Sequence, residues 1–197
     1  MVPMRSILIP LALSVGAPAL AEPAGEREFR AWYRQPANRT QAAQFERYLA
    51  RFGVRGVLPT GQILRTASDW RRCGSPFEVP PVTYWARIVP VLRFIRDEIK
   101  PRIGAVEAVS GYRNPVLNRC AAGAPRSAHV GYWGLDLVPR TSISRPELFR
   151  RLCGLHRNKG RTARFGLGFY RGLRFHVDTK RYRLWGSSNR SGTSPCL

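Results

Sequence analysis

Apolar side chains recur at helical spacing in the stretch TQAAQFERYLARFG. They occupy positions i, i+3, i+4 and i+7 of the run: Phe45, Tyr48, Leu49 and Phe52. Thr40 in front of the run is a suitable N-cap, and Gly53 behind it is a helix stop. The pattern therefore predicts an amphipathic helix over residues 40–52.

Two further helices are predicted from the same periodicity. One runs from Thr83 to Ile99 and contains Pro90, which should kink it or mark its true first turn. The other lies in SRPELFRRLCG, where Ser144 and Glu147 form a capping box, and should end near Gly154. A short helix is expected in GYRNPVLNRC, with a proline near its start.

Three segments have the pattern of β-strands. AVEAVS alternates apolar and polar residues, GLDLVP is a short apolar run, and RFGLGFYRGLRFHVDT contains two strand-like runs joined around Arg171 and Gly172. The glycines of GLG at 166–168 lack the context of a nucleotide-binding loop, so we interpret them as structural. Helices and strands are segregated along the chain, which predicts an α+β fold with a small antiparallel sheet flanked by helices.

The first residues have the features of a secretory signal peptide. Arg5 precedes a short apolar core at 7–15, and Ala19–Ala21 resembles a cleavage site. We predict that residues 1–21 are removed, that 22–59 form a helical extension packed on the core, and that 60–197 form the main domain. No other segment is apolar enough to cross a membrane, so a periplasmic or secreted protein without a membrane span is expected.

All four cysteines lie in the predicted mature chain. An even number in an oxidising compartment indicates two disulfides, with three possible connectivities. A four-cysteine zinc site is the alternative, but no two cysteines have its close spacing. The pairing Cys73–Cys120 and Cys153–Cys196 is favoured because each bond closes a loop of forty-odd residues and the second would hold the C-terminal tail. Sequence alone leaves the other connectivities open.

The charge of the chain is strongly positive. It carries 33 basic and 12 acidic residues, for a formal net charge of +21. Such a field attracts polyanions, which include nucleic acid, anionic lipid and the carboxylate-rich peptides of a cell wall. The arginines are spread along the whole chain and no nucleic-acid motif is present, so no specific nucleic-acid partner is predicted, and an arginine-biased solvated surface is an equally good interpretation.

Two of the three histidines stand close to carboxylates. His176 and Asp178 are two residues apart on a predicted strand and therefore share a face. If the GLDLVP strand lies beside that hairpin, His129 and Asp136 can meet His176, and two imidazoles with one carboxylate form a zinc set of the catalytic type. Ordinary core or surface histidines are the alternative. The third, His156, falls after the predicted helix end and is interpreted as a helix cap.

Several motifs in order resemble the zinc D-alanyl-D-alanine carboxypeptidases. They are VSGYRNPVLN, GAPRSAH, GFY, RFHVDT and RLWG, spread over residues 70–186. The resemblance implies the fold shared by these enzymes, the hedgehog signalling domain and phage cell-wall endopeptidases. It places the zinc ligands on His129, Asp136 and His176, a substrate-carboxylate arginine on Arg113, and a supporting serine on Ser127.

The resemblance also implies an activity. A zinc-dependent peptidase would cut peptidoglycan stem peptides, as a carboxypeptidase or an endopeptidase, with zinc-bound water attacking the peptide carbonyl. Many members have glycine where this chain has Tyr132, so we expect Tyr132 or Trp133 to line the cleft. Many also have an acid just before the last histidine, where residues 173–175 offer none. Asp178 is then the candidate catalytic base, or else it orients His176.

Two functions of other classes remain as alternatives. The missing upstream acid favours a non-catalytic protein that binds peptidoglycan or another polyanion and keeps the peptidase fold. Charge alone suggests a secreted nucleic-acid-binding protein, which would bind DNA in a salt-dependent and chelator-insensitive manner.

Overall fold

The structure is a computed structural model, and it describes residues 25–68, 70–74 and 76–197. The predicted signal peptide, residues 1–21, lies outside the described residues. Among the helices that are described, none has the length and apolar character that a membrane crossing requires.

Helices dominate the first half of the described chain. The α-helices are α1 Glu26–Tyr33, α2 Pro36–Arg51, α3 Thr60–Ile63, α4 Trp70–Cys73, α5 Trp85–Phe94, α6 Lys100–Ile103, α7 Pro115–Cys120 and α8 Arg145–Lys159. A 3-10 turn, Val82–Tyr84, precedes α5, and a π-helical segment, Ile95–Ile99, joins α5 to α6. Two more 3-10 turns cover His129–Gly131 and Ser191–Thr193.

The predicted helices exist, but several boundaries differ. Helix α2 begins at Pro36, not after Thr40, because proline at the first helical position has its φ preset and needs no hydrogen-bond partner there. Pro90 lies inside α5, and the change of helical type occurs five residues later, at Ile95.

Helix α8 passes through the residue that was predicted to end it. The Ser144 hydroxyl caps its first turn by accepting from the Glu147 amide at 3.3 Å, which is one half of the predicted capping box, while the Glu147 carboxylate binds Arg150 and Arg151. The predicted end at Gly154 is wrong, because the helix continues to Lys159. Buried Leu152 and Leu155 on either side of the glycine anchor the helix to the core, which offsets the roughly 1 kcal/mol that a helical glycine costs.

Five strands form one sheet in the order β1-β2-β4-β3-β5. Their ranges are β1 Val106–Ser110, β2 Gly134–Pro139, β3 Gly166–Phe169, β4 Phe175–Asp178 and β5 Arg183–Trp185. The predicted AVEAVS and GLDLVP strands and the hairpin around Arg171 and Gly172 are all present. The fold is α+β, as predicted. The sheet is mixed, because β5 runs parallel to β3 while the other strand pairs are antiparallel. The prediction of a purely antiparallel sheet is therefore wrong at one edge.

One hydrophobic cluster joins the helices to the sheet. It extends from Phe45 and Leu49 of α2 through Leu92 of α5 to Leu137 and Phe175 of the sheet. The extension over 22–59 thus contributes buried side chains to the same core, whereas the predicted domain boundary at residue 60 stays a prediction.

Two disulfides close the structure. Cys73 bonds Cys120 and Cys153 bonds Cys196, which is the pairing that the loop lengths favoured. The second bond ties the C-terminal segment to α8, and no described cysteine is left free.

Removal of the second disulfide should destabilise the protein measurably. A loop of 43 residues corresponds to about 4 kcal/mol in the chain-entropy model. We expect the Cys153→Ser/Cys196→Ser double variant to lose unfolding free energy of that order in urea melts. A midpoint equal to that of the wild type would contradict this expectation.

Candidate metal centre

The site is built from residues that face each other across neighbouring strands. Asp136 of β2 pairs directly with His176 of β4, and His176 pairs on its other side with Gly168 of β3. These paired residues form a first row across the strands. Because alternate residues of a strand share a face, a second row lies two residues along each strand on the same face and contains Asp178. Both rows are buried, so the polar groups must satisfy one another.

Glycines make the space for this second row. Gly134 and Gly166 are the cross-strand neighbours of Asp178 on its two sides. A Cβ at Gly166 would lie 2.3 Å from Asp178 Oδ2, and one at Gly134 would lie 2.7 Å from Asp178 Cβ. Only glycine therefore lets the carboxylate of Asp178 lie within the sheet, and this explains Gly166 of the GLG segment.

The other glycine of that segment makes room for an aromatic side chain. A Cβ at Gly168 would lie 1.9 Å from the Trp185 ring. The indole crosses the glycine and packs against His176, with ring centroids 5.6 Å apart. Trp185 therefore shields one side of the imidazole.

Three ligand atoms converge at the end of the first row. His129 Nε2 lies 3.2 Å from Asp136 Oδ1 and 3.1 Å from His176 Nδ1, and His176 Nδ1 lies 2.9 Å from Asp136 Oδ1. All three residues are buried, and this group could hold a metal ion. His129 reaches it from the 3-10 turn before β2.

The hydrogen bond made by the outer nitrogen of each imidazole determines the tautomer, and hence whether the inward-facing nitrogen carries a hydrogen or a lone pair. His129 Nδ1 lies 2.7 Å from the Gly111 carbonyl, which can only accept, so Nδ1 carries the hydrogen. His176 Nε2 likewise donates to Asp178 Oδ2 at 2.9 Å. In the neutral rings both inward nitrogens therefore present lone pairs to each other and to a carboxylate oxygen. Such an arrangement requires a cation or a proton between them.

The pKa values of these groups agree with that requirement. Burial and the nearby charge of Arg113 lower the pKa of His129 to about 4, so its ring is neutral. Burial opposes the charged form of His176 as well, but its hydrogen bonds to the carboxylates of Asp136 and Asp178 outweigh this effect and raise the pKa of His176. Without a metal, the proton that lies between the inward-facing nitrogens is held by His176 and not by His129.

The distances fit a small tetrahedral ion. Ligand atoms about 2.0–2.1 Å from zinc in tetrahedral geometry lie about 3.3 Å from one another. The observed separations of 2.9–3.2 Å need only a slight expansion. Three protein ligands would also leave one coordination position open toward the cleft.

The ligand carboxylate makes further contacts at the cleft wall. Tyr170 donates to Asp136 Oδ1 at 3.1 Å, and Arg174 binds Asp136 Oδ2 at 2.5 Å while its other nitrogen reaches Ser68 Oγ at 2.8 Å. Burial opposes ionisation of Asp136, but the two histidines outweigh it and hold its pKa well below the usual range. Asp136 is thus engaged in ion pairs with Arg174 and the two histidines, and a bound cation would also contact its Oδ1.

Asp178 lies on the far side of His176 from the three ligand atoms. Its oxygens accept from His176 Nε2, from the Lys180 amide at 2.9 Å, and from Arg183 at 2.7 Å. Burial opposes its ionisation, yet its bonds to His176 and Arg183 hold its pKa below the usual range. It is thus a buried carboxylate that fixes the ring of His176.

An open cleft of about 830 Å³ leads to the two histidines. Five of the residues that line it are arginines: Arg113, Arg126, Arg174, Arg181 and Arg183. Ser127, Tyr170 and Trp185 also reach its surface, but no described lining residue is a carboxylate. The cleft therefore suits an anionic ligand.

The predicted substrate residues lie on this wall. Arg113 is buried except at the cleft, and its amide donates to the His129 carbonyl at 3.2 Å. The hydroxyl of Ser127 accepts from the His129 amide at 3.3 Å. The loops that carry Arg113 and Ser127 are therefore fixed to the turn that carries His129.

The prediction that Tyr132 or Trp133 lines the cleft is wrong. Tyr132 does not line the cleft: its ring is fully buried, and its hydroxyl donates to the Ile63 carbonyl at 3.1 Å. Its backbone is left-handed, with φ of 58°, where many members of the resembled family have glycine. Trp133 does not line the cleft either and lies under Arg87. His156 lies in the last turn of α8 and not beyond the helix end, and its ring stacks on Tyr182 at 4.4 Å.

Sequence reasoning missed the roles of Tyr170 and Arg174 at Asp136. A signal was present for Arg174, since residues 174, 176 and 178 alternate on one strand and share a face. For Tyr170 there was none, because its contact depends on the order of strands in the sheet.

The chain matches no protein-family profile, no curated protein and no solved structure.

The orienting contact of Asp178 gives a test of the metal centre. We expect the chelator-treated protein to bind one equivalent of Zn²⁺ by calorimetry, and Asp178→Asn to weaken that binding about 10- to 100-fold, because an outer hydrogen-bond partner of a ligand histidine is lost. Glu107→Gln is the matched control, since Glu107 is also buried and paired with an arginine but lies outside the site. Equal affinities in all three proteins would contradict the orienting role of Asp178, and absence of Zn²⁺ binding by the wild type would contradict a metal centre here.

Proposed function

We propose that the protein is a zinc-dependent peptidase that acts on peptidoglycan stem peptides outside the cytoplasm. The observation that carries this proposal is the pair of inward lone pairs on His129 and His176, set beside Asp136 Oδ1 at the floor of an arginine-lined cleft. Two nitrogens and one carboxylate oxygen are the donor set of catalytic zinc sites. The order of the sequence motifs supports the same activity.

His129, Asp136 and His176 would hold the ion. When bound, it would polarise a peptide carbonyl and activate water as the nucleophile. Asp178 would keep His176 in the tautomer that binds metal, and Trp185 would keep its ring in place. These residues therefore supply a fixed geometry at the floor of the cleft.

Arg113 would bind the carboxylate of the peptide. Its planar guanidinium suits a bidentate contact, and its position beside His129 would set the scissile bond over the site. Ser127, on the same wall, would donate a hydrogen bond to the bound peptide. These two residues orient the substrate and do not exchange protons with it.

Arg174 would stabilise negative charge that develops on the substrate carbonyl, and Tyr170 would hold Asp136 in place through its hydrogen bond to Oδ1. Burial and the neighbouring Asp136 raise the pKa of Tyr170, so its hydroxyl stays protonated and donates at neutral pH. Arg174 brings a permanent charge to the same wall. Fixed donors of this kind act on the transition state more than on the substrate.

For Asp178 we propose the orienting role and not that of general base. A base must come within hydrogen-bond reach of the water that it deprotonates. Asp178 is fully buried, and His176, the Lys180 amide and Arg183 already occupy its oxygens. These contacts support a positional function.

The location follows from the same proposal. Two disulfides suit an oxidising compartment, and the first 21 residues have the features of an export signal. The periplasm or the cell exterior is also where peptidoglycan peptides are found.

A second candidate is a non-catalytic protein that binds peptidoglycan or another polyanion. The observation that favours it is the absence of a carboxylate among the described residues of the cleft wall. Such a protein would bind wall peptides through its arginines and leave them intact.

Product analysis distinguishes the two candidates. We expect the purified protein to shorten or cut defined muropeptides, chelator to abolish this, and added Zn²⁺ to restore it, with products identified by mass spectrometry. At saturating Zn²⁺, Asp178→Asn should keep most of its kcat, whereas loss of a general base would lower kcat about 10²- to 10⁴-fold. Tight binding of intact muropeptides without any turnover would favour the binding protein.

Arg113→Lys tests the carboxylate contact. Lysine keeps the charge but loses the planar fork, so we expect KM to rise about tenfold with kcat little changed. Arg145→Lys, a change at a residue outside the cleft, should leave both constants as they are. An unchanged KM in Arg113→Lys would remove this residue from substrate binding.

A further inference from the structure

A second concentration of positive charge adjoins the cleft. Arg126, Lys180, Arg181 and Arg183 line a hollow of about 260 Å³, and we call these four residues the cationic rim. All of them except Lys180 also line the main cleft. The hollow is therefore continuous with the cleft along one wall.

Backbone contacts hold the rim in shape. Lys180 follows β4, and its amide donates to Asp178 Oδ1. Its ammonium group donates to the Arg126 carbonyl at 3.3 Å, which links this turn to the loop before His129. Arg183 is fixed by Asp178 Oδ2 at 2.7 Å. The four cations are thus presented by segments that also position the metal ligands.

The charge of the rim is poorly compensated. Asp178 neutralises Arg183, but in the described part of the chain no ion pair joins Arg126, Lys180 or Arg181 to a carboxylate. Burial and the neighbouring charges of Arg183, Arg181 and Arg126 lower the pKa of Lys180, which reflects their mutual repulsion. A bound anion would relieve this repulsion.

We propose that the cationic rim is a subsite for a second carboxylate of the peptide substrate, separate from the carboxylate held by Arg113. The cleft then selects peptides that carry a second acidic group besides the one held by Arg113. The proposal rests on the proposed function for the peptide nature of the ligand. The anion-binding character of the rim stands on the four cations themselves.

Binding of paired peptides to the chelator-treated protein tests the rim. The probes are two synthetic stem peptides that are identical except that an internal free carboxylate in one is a carboxamide in the other. We expect the wild type to bind the diacid about tenfold more tightly than the amide, since a charge-assisted contact is lost. In Arg126→Gln/Arg181→Gln this preference should fall below twofold, with binding of the amide unchanged.

The matched control is Arg55→Gln/Arg157→Gln. It removes the same charge from two exposed arginines that do not line the cleft, so it should keep the tenfold preference. The single variant Arg181→Gln gives an independent measurement, and thermal unfolding verifies that every variant is folded. Equal losses in the rim and control variants would mean a general field effect and would overturn the proposal.

The remaining outcomes separate ligand chemistry from enzymatic function. A phosphodiester polymer that binds in a rim-dependent manner, while the two peptides bind equally, would overturn the carboxylate subsite. A diacid preference without any hydrolysis by the zinc-loaded protein would support the subsite and contradict the peptidase. Hydrolysis without any preference for the diacid would support the peptidase and contradict the subsite.

Discussion

The hydrogen bond from His176 Nε2 to Asp178 is the interaction on which the candidate site depends. It is made inside the sheet, where both partners are buried, and it determines which nitrogen of His176 faces His129 and Asp136 with its lone pair. The Gly111 carbonyl decides the same question for His129. Two outer contacts thus convert a buried polar cluster into one with unshared lone pairs at its centre.

The sheet loses side-chain packing at the positions that make room for this hydrogen bond. Gly134 and Gly166 flank Asp178 and give up side-chain packing so that a carboxylate fits between strands. Arg183 reaches over Gly166 from the edge strand to supply the balancing charge. This explains why β5, which is only three residues long and parallel to β3, belongs to the site. Without its arginine, Asp178 would be a buried anion with only a histidine and a backbone amide as partners.

Local pattern was sufficient to locate α2, α5, α7, α8 and most strands, but it did not indicate α1, α3 or α4. Spacing predicted α2, α8 and the β3–β4 hairpin, and motif order indicated the three residues that the structure brings together. The parallel β5 was not predictable, because a three-residue strand has no periodicity and its direction depends on where the chain re-enters the sheet. The end of α8 was misjudged because burial of Leu152 and Leu155 outweighs the propensity of Gly154.

Tyr132 illustrates how tertiary contacts override a local rule at the site itself. A left-handed backbone costs a non-glycine residue roughly 1–2 kcal/mol, and the turn after His129 requires that conformation. Here the ring compensates by filling the core against Phe45 and Tyr112 and by donating to the Ile63 carbonyl. Burial of an aromatic ring of this size contributes more than the strain costs. Tyr132 therefore attaches the turn that carries His129 to the helical layer.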